Sequence, residues 1–147
     1  MSQQARQALV DSPNTIFQHD SQRSDLLNES LTQTDLIALL TEICITRGYP
    51  VEFTAVRSDH RNDSCLGLHS HADGFAADCW PLDSRMAGAY LDAGDPRFQA
   101  FLHDLSLSPW LWQIGLAGSA DTAQNKAAGG PSVFSDEGAD HVHLGAR

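Results

Sequence analysis

The sequence predicts an α+β domain, on two observations. Segments of helical period and segments of alternating period both occur, and they do not follow one another in the regular strand–helix–strand order of a parallel α/β sheet. The chain has 147 residues, the length of about one domain and enough to bury a core without disulfides or oligomerisation. No internal repeat is present. Apolar residues at 41 % and charged residues at 19 % give the balance of a globular chain, so a packed core is expected.

The elements follow in order. Residues 1–30 are rich in Gln, Ser, Asn and Asp and lack sustained periodicity, which predicts a flexible or loosely packed N-terminal arm with one short helix at most. The organised domain is expected over 31–147. Thr32-Gln33-Thr34-Asp35 has the form of a capping box with Asp in place of Glu. Leu36, Leu40 and Ile43 recur at i, i+4 and i+7, with Leu39 alongside, and form one apolar face of a helix. Gly48 supplies a left-handed stop and Pro50 bars continuation. Val51 to Val56 alternates apolar and polar, as a strand does. Arg57 to Ser64 is polar and reads as a loop. Gly74 to Trp80 is a short apolar run interrupted by Asp78, a central strand. Asp95-Pro96 has the pattern of an N-cap with Pro at the first helical position, and Phe98, Phe101, Leu102 and Leu105 continue it as an amphipathic helix. Trp110 to Leu116 and His141 to Leu144 are expected as strands. Residues 117–131, rich in Ala and Gly, are expected as a long connection or a flap.

Charge narrows the function classes. Nine Lys plus Arg against 19 Asp plus Glu give a net charge of −10, and Lys126 is the sole lysine. Phosphate contacts dominate nucleic-acid affinity, so a nucleic-acid partner is disfavoured, and so is an anionic membrane surface. No apolar run approaches the roughly 20 residues that span a bilayer. Met1 to Arg6 is polar and leads into no apolar stretch, so no signal peptide is expected. Cys44, Cys65 and Cys79 are odd in number and lack a framework spacing, so reduced and mostly buried thiols are expected.

The chemistry gathers in two histidine groups. One is His69-Ser70-His71-Ala72-Asp73-Gly74-Phe75-Ala76-Ala77-Asp78, and the other is Asp140-His141-Val142-His143. Imidazole and carboxylate are natural Zn²⁺ ligands, and three of them with one open position make the catalytic arrangement. A turn at Gly74 folds His71 and Asp78 toward one point. His141 and His143 lie two apart on a strand and share a face. Either group alone is what a surface or core histidine produces; the two together point to a site. Cys79 falls on the opposite strand face from Asp78 and reads as a buried thiol. His60 and Asp63 read as solvated loop residues, His19 and His103 as surface residues, and Trp80, Trp110 and Trp112 as core or cleft wall.

His71-x-x-Gly74-x-Ala76-x-Asp78, followed by Asp140-x-x-His143, resembles the zinc D-Ala-D-Ala carboxypeptidase group. That group includes phage L-alanyl-D-glutamate endolysins, lysostaphin-type metallopeptidases and the Hedgehog fold. Phe53-Thr54-Ala55-Val56-Arg57-Ser58 is similar to the family strand that ends in a substrate-facing Arg. The likeness covers roughly residues 32–146. It implies a small, mainly antiparallel sheet flanked by helices, and a Zn²⁺ held by His71, Asp78 and His143. By the same likeness Asp140 is the general base or orients its neighbour, and His141 stabilises the oxyanion. Arg57 holds a substrate carboxylate or carbonyl. Strand alternation would send Asp140 and His143 to opposite faces, so Asp140 is placed in the entering loop. His69 stands where the family has Ser and offers a spare ligand. The implied activity is hydrolysis of an amide bond in peptidoglycan stem peptides, by a monomer. The bond is L-Ala-D-Glu for an endolysin or D-Ala-D-Ala for a carboxypeptidase. The protein would be made in the cytoplasm and reach the wall through a holin or in a virion. The alternative is a catalytically inactive zinc-binding interaction protein, or a phage structural protein, on the same scaffold; the presence of Asp140 favours the enzyme.

Overall fold

A computed structural model describes residues 2–58, 71–82, 94–116, 132–134 and 141–147. Helix α1 is Gln3–Val10, strand β1 is Thr15–Phe17 and helix α2 is Asp20–Leu27. Helix α3, Thr34–Thr41, widens into a π-helical turn over Glu42–Thr46, and β2 is Val51–Ala55. A 3₁₀ turn, His71–Asp73, precedes β3, Ala76–Pro81. Helix α4, Pro96–Ser106, β4, Leu111–Gly115, β5, Ser132–Phe134, and β6, Val142–Ala146, complete the described elements. The strands form one sheet in the order β1-β2-β3-β6-β4-β5. Its three central pairings are antiparallel, and the two edge pairings, β1/β2 and β4/β5, are parallel. The fold is α+β. No helix among the described residues is long and apolar enough to cross a membrane.

Burial follows the residue pattern. In β2 the alternating Val51, Phe53 and Ala55 are buried. In β6 every residue is buried, and in β3 all but Trp80, the mark of central strands covered on both faces. Leu36, Ile37, Leu39, Leu40 and Ile43 of α3 and its π turn join Phe98, Phe101 and Leu105 of α4 in the core. Gly48 takes φ +74°, the left-handed stop its position called for. Asp95 caps α4 by accepting the Arg97 N–H at 2.8 Å, with Pro96 at the first helical position. The segment expected as a flap, 117–131, lies outside the described residues, as does the expected loop beyond Ser58.

The first 30 residues correct the expectation of an arm. Leu9 and Leu26 are fully buried, and α1 and α2 pack on each other. β1 pairs with β2. Polar side chains make the joints here, which is why composition misleads. Arg6 is 2 % exposed; its Nη1 donates to Leu26 O and Thr32 Oγ1, both at 2.7 Å, and its Nη2 donates to Thr32 O at 2.8 Å. Burial lowers the Arg6 pKa, yet a guanidinium stays charged in proteins and its donors stay committed. Gln22 Oε1 accepts the N–H groups of Gln18 and His19, and its Nε2 donates to Thr54 O at 2.9 Å. The capping box at Thr32 does not form. Gln33 is the N-cap of α3, and Thr32 Oγ1 instead donates to Asp25 O at 2.9 Å.

Arg6→Leu keeps side-chain bulk but strands three buried acceptors. Each unsatisfied buried group costs about 1–3 kcal/mol, so a net loss of about 3 kcal/mol is expected. Denaturant titration checks it. An unchanged midpoint would mean that the N-terminal segment is not part of the cooperative unit.

Candidate metal centre

The centre is assembled by one turn and two strands. Gly74 follows the 3₁₀ turn at φ +78°, and its N–H donates to His71 O at 3.0 Å. A Cβ there would lie 2.3 Å from Leu31 O, so only glycine lets the turn close against the loop before α3. The Gln33 N–H donates to Gly74 O at 2.9 Å and pins the turn from that side. The chain then enters β3, and the β3/β6 register sets Asp78 opposite His143. Opposed residues of antiparallel strands share a face, so these two side chains meet and His71 is delivered to them by the turn.

Asp78 Oδ1 lies 3.1 Å from His71 Nε2 and 3.0 Å from His143 Nδ1. The imidazole rings stand 5.1 Å apart and nearly perpendicular, at 76°. One ligand atom from each residue lies within 4.8 Å of the others, and all three residues are buried. His71 Nδ1 lies 3.2 Å from Val56 O. A carbonyl only accepts, so Nδ1 carries the proton, and the neutral tautomer then leaves a lone pair on Nε2. That lone pair faces a carboxylate oxygen, which demands a proton or a cation between them. A buried carboxylate is compensated by a paired charge or a metal. A single cation between the three residues satisfies both contacts of Oδ1 at once. Bonds of 2.0–2.1 Å at tetrahedral angles put ligand atoms about 3.3 Å apart, close to the 3.0 and 3.1 Å between Asp78 Oδ1 and the two ring nitrogens. Two ring nitrogens and a carboxylate oxygen therefore fit a divalent ion.

The other expected residues divide. His141 lies on the more open side, its Nε2 3.7 Å from Asp78 Oδ2. Arg57 follows β2 and its Nε donates to Ala72 O at 2.9 Å, next to His71. Leu31, Arg57, Ser58 and Ala72 line a cleft of about 300 Å³. Asp140, His69, His60, Asp63 and Cys65 lie outside the described residues. Cys79 is fully buried, and burial, then the charges of Asp78 and Cys44, push its thiol well up. Burial likewise pushes the Cys44 thiol up to about 12. Trp110 is exposed, Trp112 lies under the Arg147 guanidinium at 5.7 Å, and His19 and His103 are exposed.

Two contributors escaped sequence reasoning. Val56 acts through its backbone carbonyl, which leaves no side-chain signal. Asp25 is 1 % exposed and accepts from Ser58 on the cleft wall, but it lies in the segment that composition marks as an arm.

Protein purified without chelator is expected to hold about one divalent ion per chain by elemental analysis, and His71→Ala or His143→Ala close to none. Chelation should lower the melting temperature, because an ion held there would tie the turn to β3 and β6 and bind only the native state. Full occupancy in His71→Ala, or no uptake by wild type, would remove the centre. Comparison with protein-family models, curated proteins and solved structures finds no match to this chain.

Proposed function

We propose that the chain is a zinc-dependent peptidase that hydrolyses an amide bond in peptidoglycan stem peptides, on a fold of the D-Ala-D-Ala carboxypeptidase and Hedgehog kind. The observation that supports this most is the convergence of His71, Asp78 and His143, the three residues that the family resemblance implies as ligands, alongside Asp140 as base and Arg57 as substrate-facing Arg. Zn²⁺ bound there would supply Lewis-acid polarisation of the scissile carbonyl and activation of a water. The chain does the rest. Val56 O fixes the tautomer and ring angle of His71, the outer support such ligands need. His141, on the open side, is the N–H donor for the oxyanion. Asp140, the residue before His141, takes the water's proton. Arg57, held at Nε by Ala72 O, turns its terminal nitrogens to a carboxylate or carbonyl of the peptide. The substrate lies outside the cytoplasm, so release through a holin or carriage in a virion belongs to the same proposal.

The test is hydrolysis of stem-peptide fragments by zinc-loaded protein, followed by chromatography of the products. Asp140→Ala should lower kcat by about 100- to 10,000-fold and retain zinc. His141→Ala should lower it by about 100- to 1,000-fold. A zinc-loaded wild type that cleaves neither L-Ala-D-Glu nor D-Ala-D-Ala bonds would replace the enzyme with a zinc-binding interaction or structural protein.

A further inference from the structure

The cleft lined by Leu31, Arg57, Ser58 and Ala72 is held from the N-terminal segment, by a side chain with no part in the chemistry proposed above. Asp25, in the last turn of α2, is 1 % exposed. Its two carboxylate oxygens take both donors of one residue: Ser58 N–H at 2.6 Å on Oδ2 and Ser58 Oγ–H at 2.5 Å on Oδ1. A buried carboxylate that accepts a backbone amide and a hydroxyl together leaves its partner little freedom. Ser58 follows Arg57, and both line the cleft. Arg57 is tied on its other side, where Nε donates to Ala72 O, and Ala72 follows His71. Among the described residues no carboxylate pairs with the Arg57 guanidinium. Arg57 is bonded to Ala72 on one side, and its chain neighbour Ser58 is held by Asp25 on the other.

α2 is itself anchored on both sides of Asp25. Gln22 Nε2 donates to Thr54 O on β2, and Arg6 Nη1 donates to Leu26 O, the residue after Asp25. Thr32 Oγ1 donates to the carbonyl of Asp25. These bonds join α1, α2 and the loop before α3 to the end of β2 from which Arg57 emerges.

We propose that Asp25 is the positioning residue for Arg57. It clamps Ser58 so that Arg57 keeps its place in the wall of the cleft, bonded to the carbonyl of Ala72, the residue after His71. The activity arm of its test rests on the peptidase reading, and the spectroscopic arm does not. Asp25→Ala removes both acceptors. Ser58→Ala removes only the hydroxyl bond and spares the fold if Asp25→Ala does not. Asp25→Asn keeps both contacts: its oxygen accepts the Ser58 N–H, and its NH₂ donates to a hydroxyl that has turned round.

The first readout is the ¹H–¹⁵N signal of Arg57 Nε–H in the zinc-loaded protein, identified by its loss in Arg57→Lys. Exchange with solvent should be at least about tenfold faster in Ser58→Ala and Asp25→Ala, and near wild type in Asp25→Asn. The second is stem-peptide kinetics. Loss of a grip made equally on substrate and transition state raises KM and leaves kcat, so Ser58→Ala should raise KM by about tenfold. In an Arg57→Ala background the same change should add nothing, because Ser58 acts through Arg57. Nε–H exchange unmoved in Ser58→Ala and Asp25→Ala overturns the proposal, as does an undiminished KM effect in the Arg57→Ala background. If the exchange pattern appears but wild type cleaves no stem peptide, the peptidase reading falls and the clamp stands.

Discussion

One carboxylate oxygen organises this molecule. Asp78 Oδ1 is buried and stands about equally near two imidazole nitrogens, at 3.1 Å from His71 and 3.0 Å from His143. A negative oxygen in that position carries a desolvation cost of several kcal/mol unless positive charge sits against it. The three residues come from a turn and two separate strands, so whatever charge fills the space also joins segments 65 positions apart in the chain. A metal ion held there would meet that need and tie the turn to the centre of the sheet.

The rest of the fold serves this convergence. β3 and β6 are buried on both faces, which fixes their register firmly, because a one-residue slip would exchange the two faces. Gly74 lets the His71 turn lie against the loop before α3 where any side chain would collide. Arg6 joins the N-terminal helices to each other and to the loop before α3, and Gln22 and Asp25 join them to β2 and the residues after it; all three are nearly inaccessible to solvent. Buried polar joints of this kind are directional. They set a position more sharply than apolar packing would, and they are placed next to the residue that faces the cleft.

Much of this was legible in the sequence. β2 and the helices at Leu36 and Phe98 announce themselves by period, β3 by a short apolar run, and Gly48 and Asp95-Pro96 by turn chemistry. The two histidine groups were legible as ligand types around a glycine turn and on a strand, and the resemblance to the zinc carboxypeptidase group singled out His71, Asp78 and His143 among them. The N-terminal segment was not legible. Its inward residues include Arg6, Gln22 and Asp25, which composition counts as solvent-loving, and each is satisfied by a partner 20 or more residues away that no local pattern shows. Thr32 misled for a related reason: its hydroxyl serves Asp25 O and Arg6 where a local reading assigns it to a helix cap. Strand β1 is three residues long, too short for an alternating pattern to register.

The central claim is that a metal ion lies among His71, Asp78 and His143. X-ray absorption at the zinc edge of the zinc-loaded protein tests it most directly. The expected spectrum shows only nitrogen and oxygen neighbours at about 2.0–2.1 Å, with the outer-shell scattering of two imidazole rings. His143→Ala should remove one ring's contribution. A sulfur shell at about 2.3 Å, or a spectrum with no imidazole scattering, would contradict the claim and send the metal elsewhere.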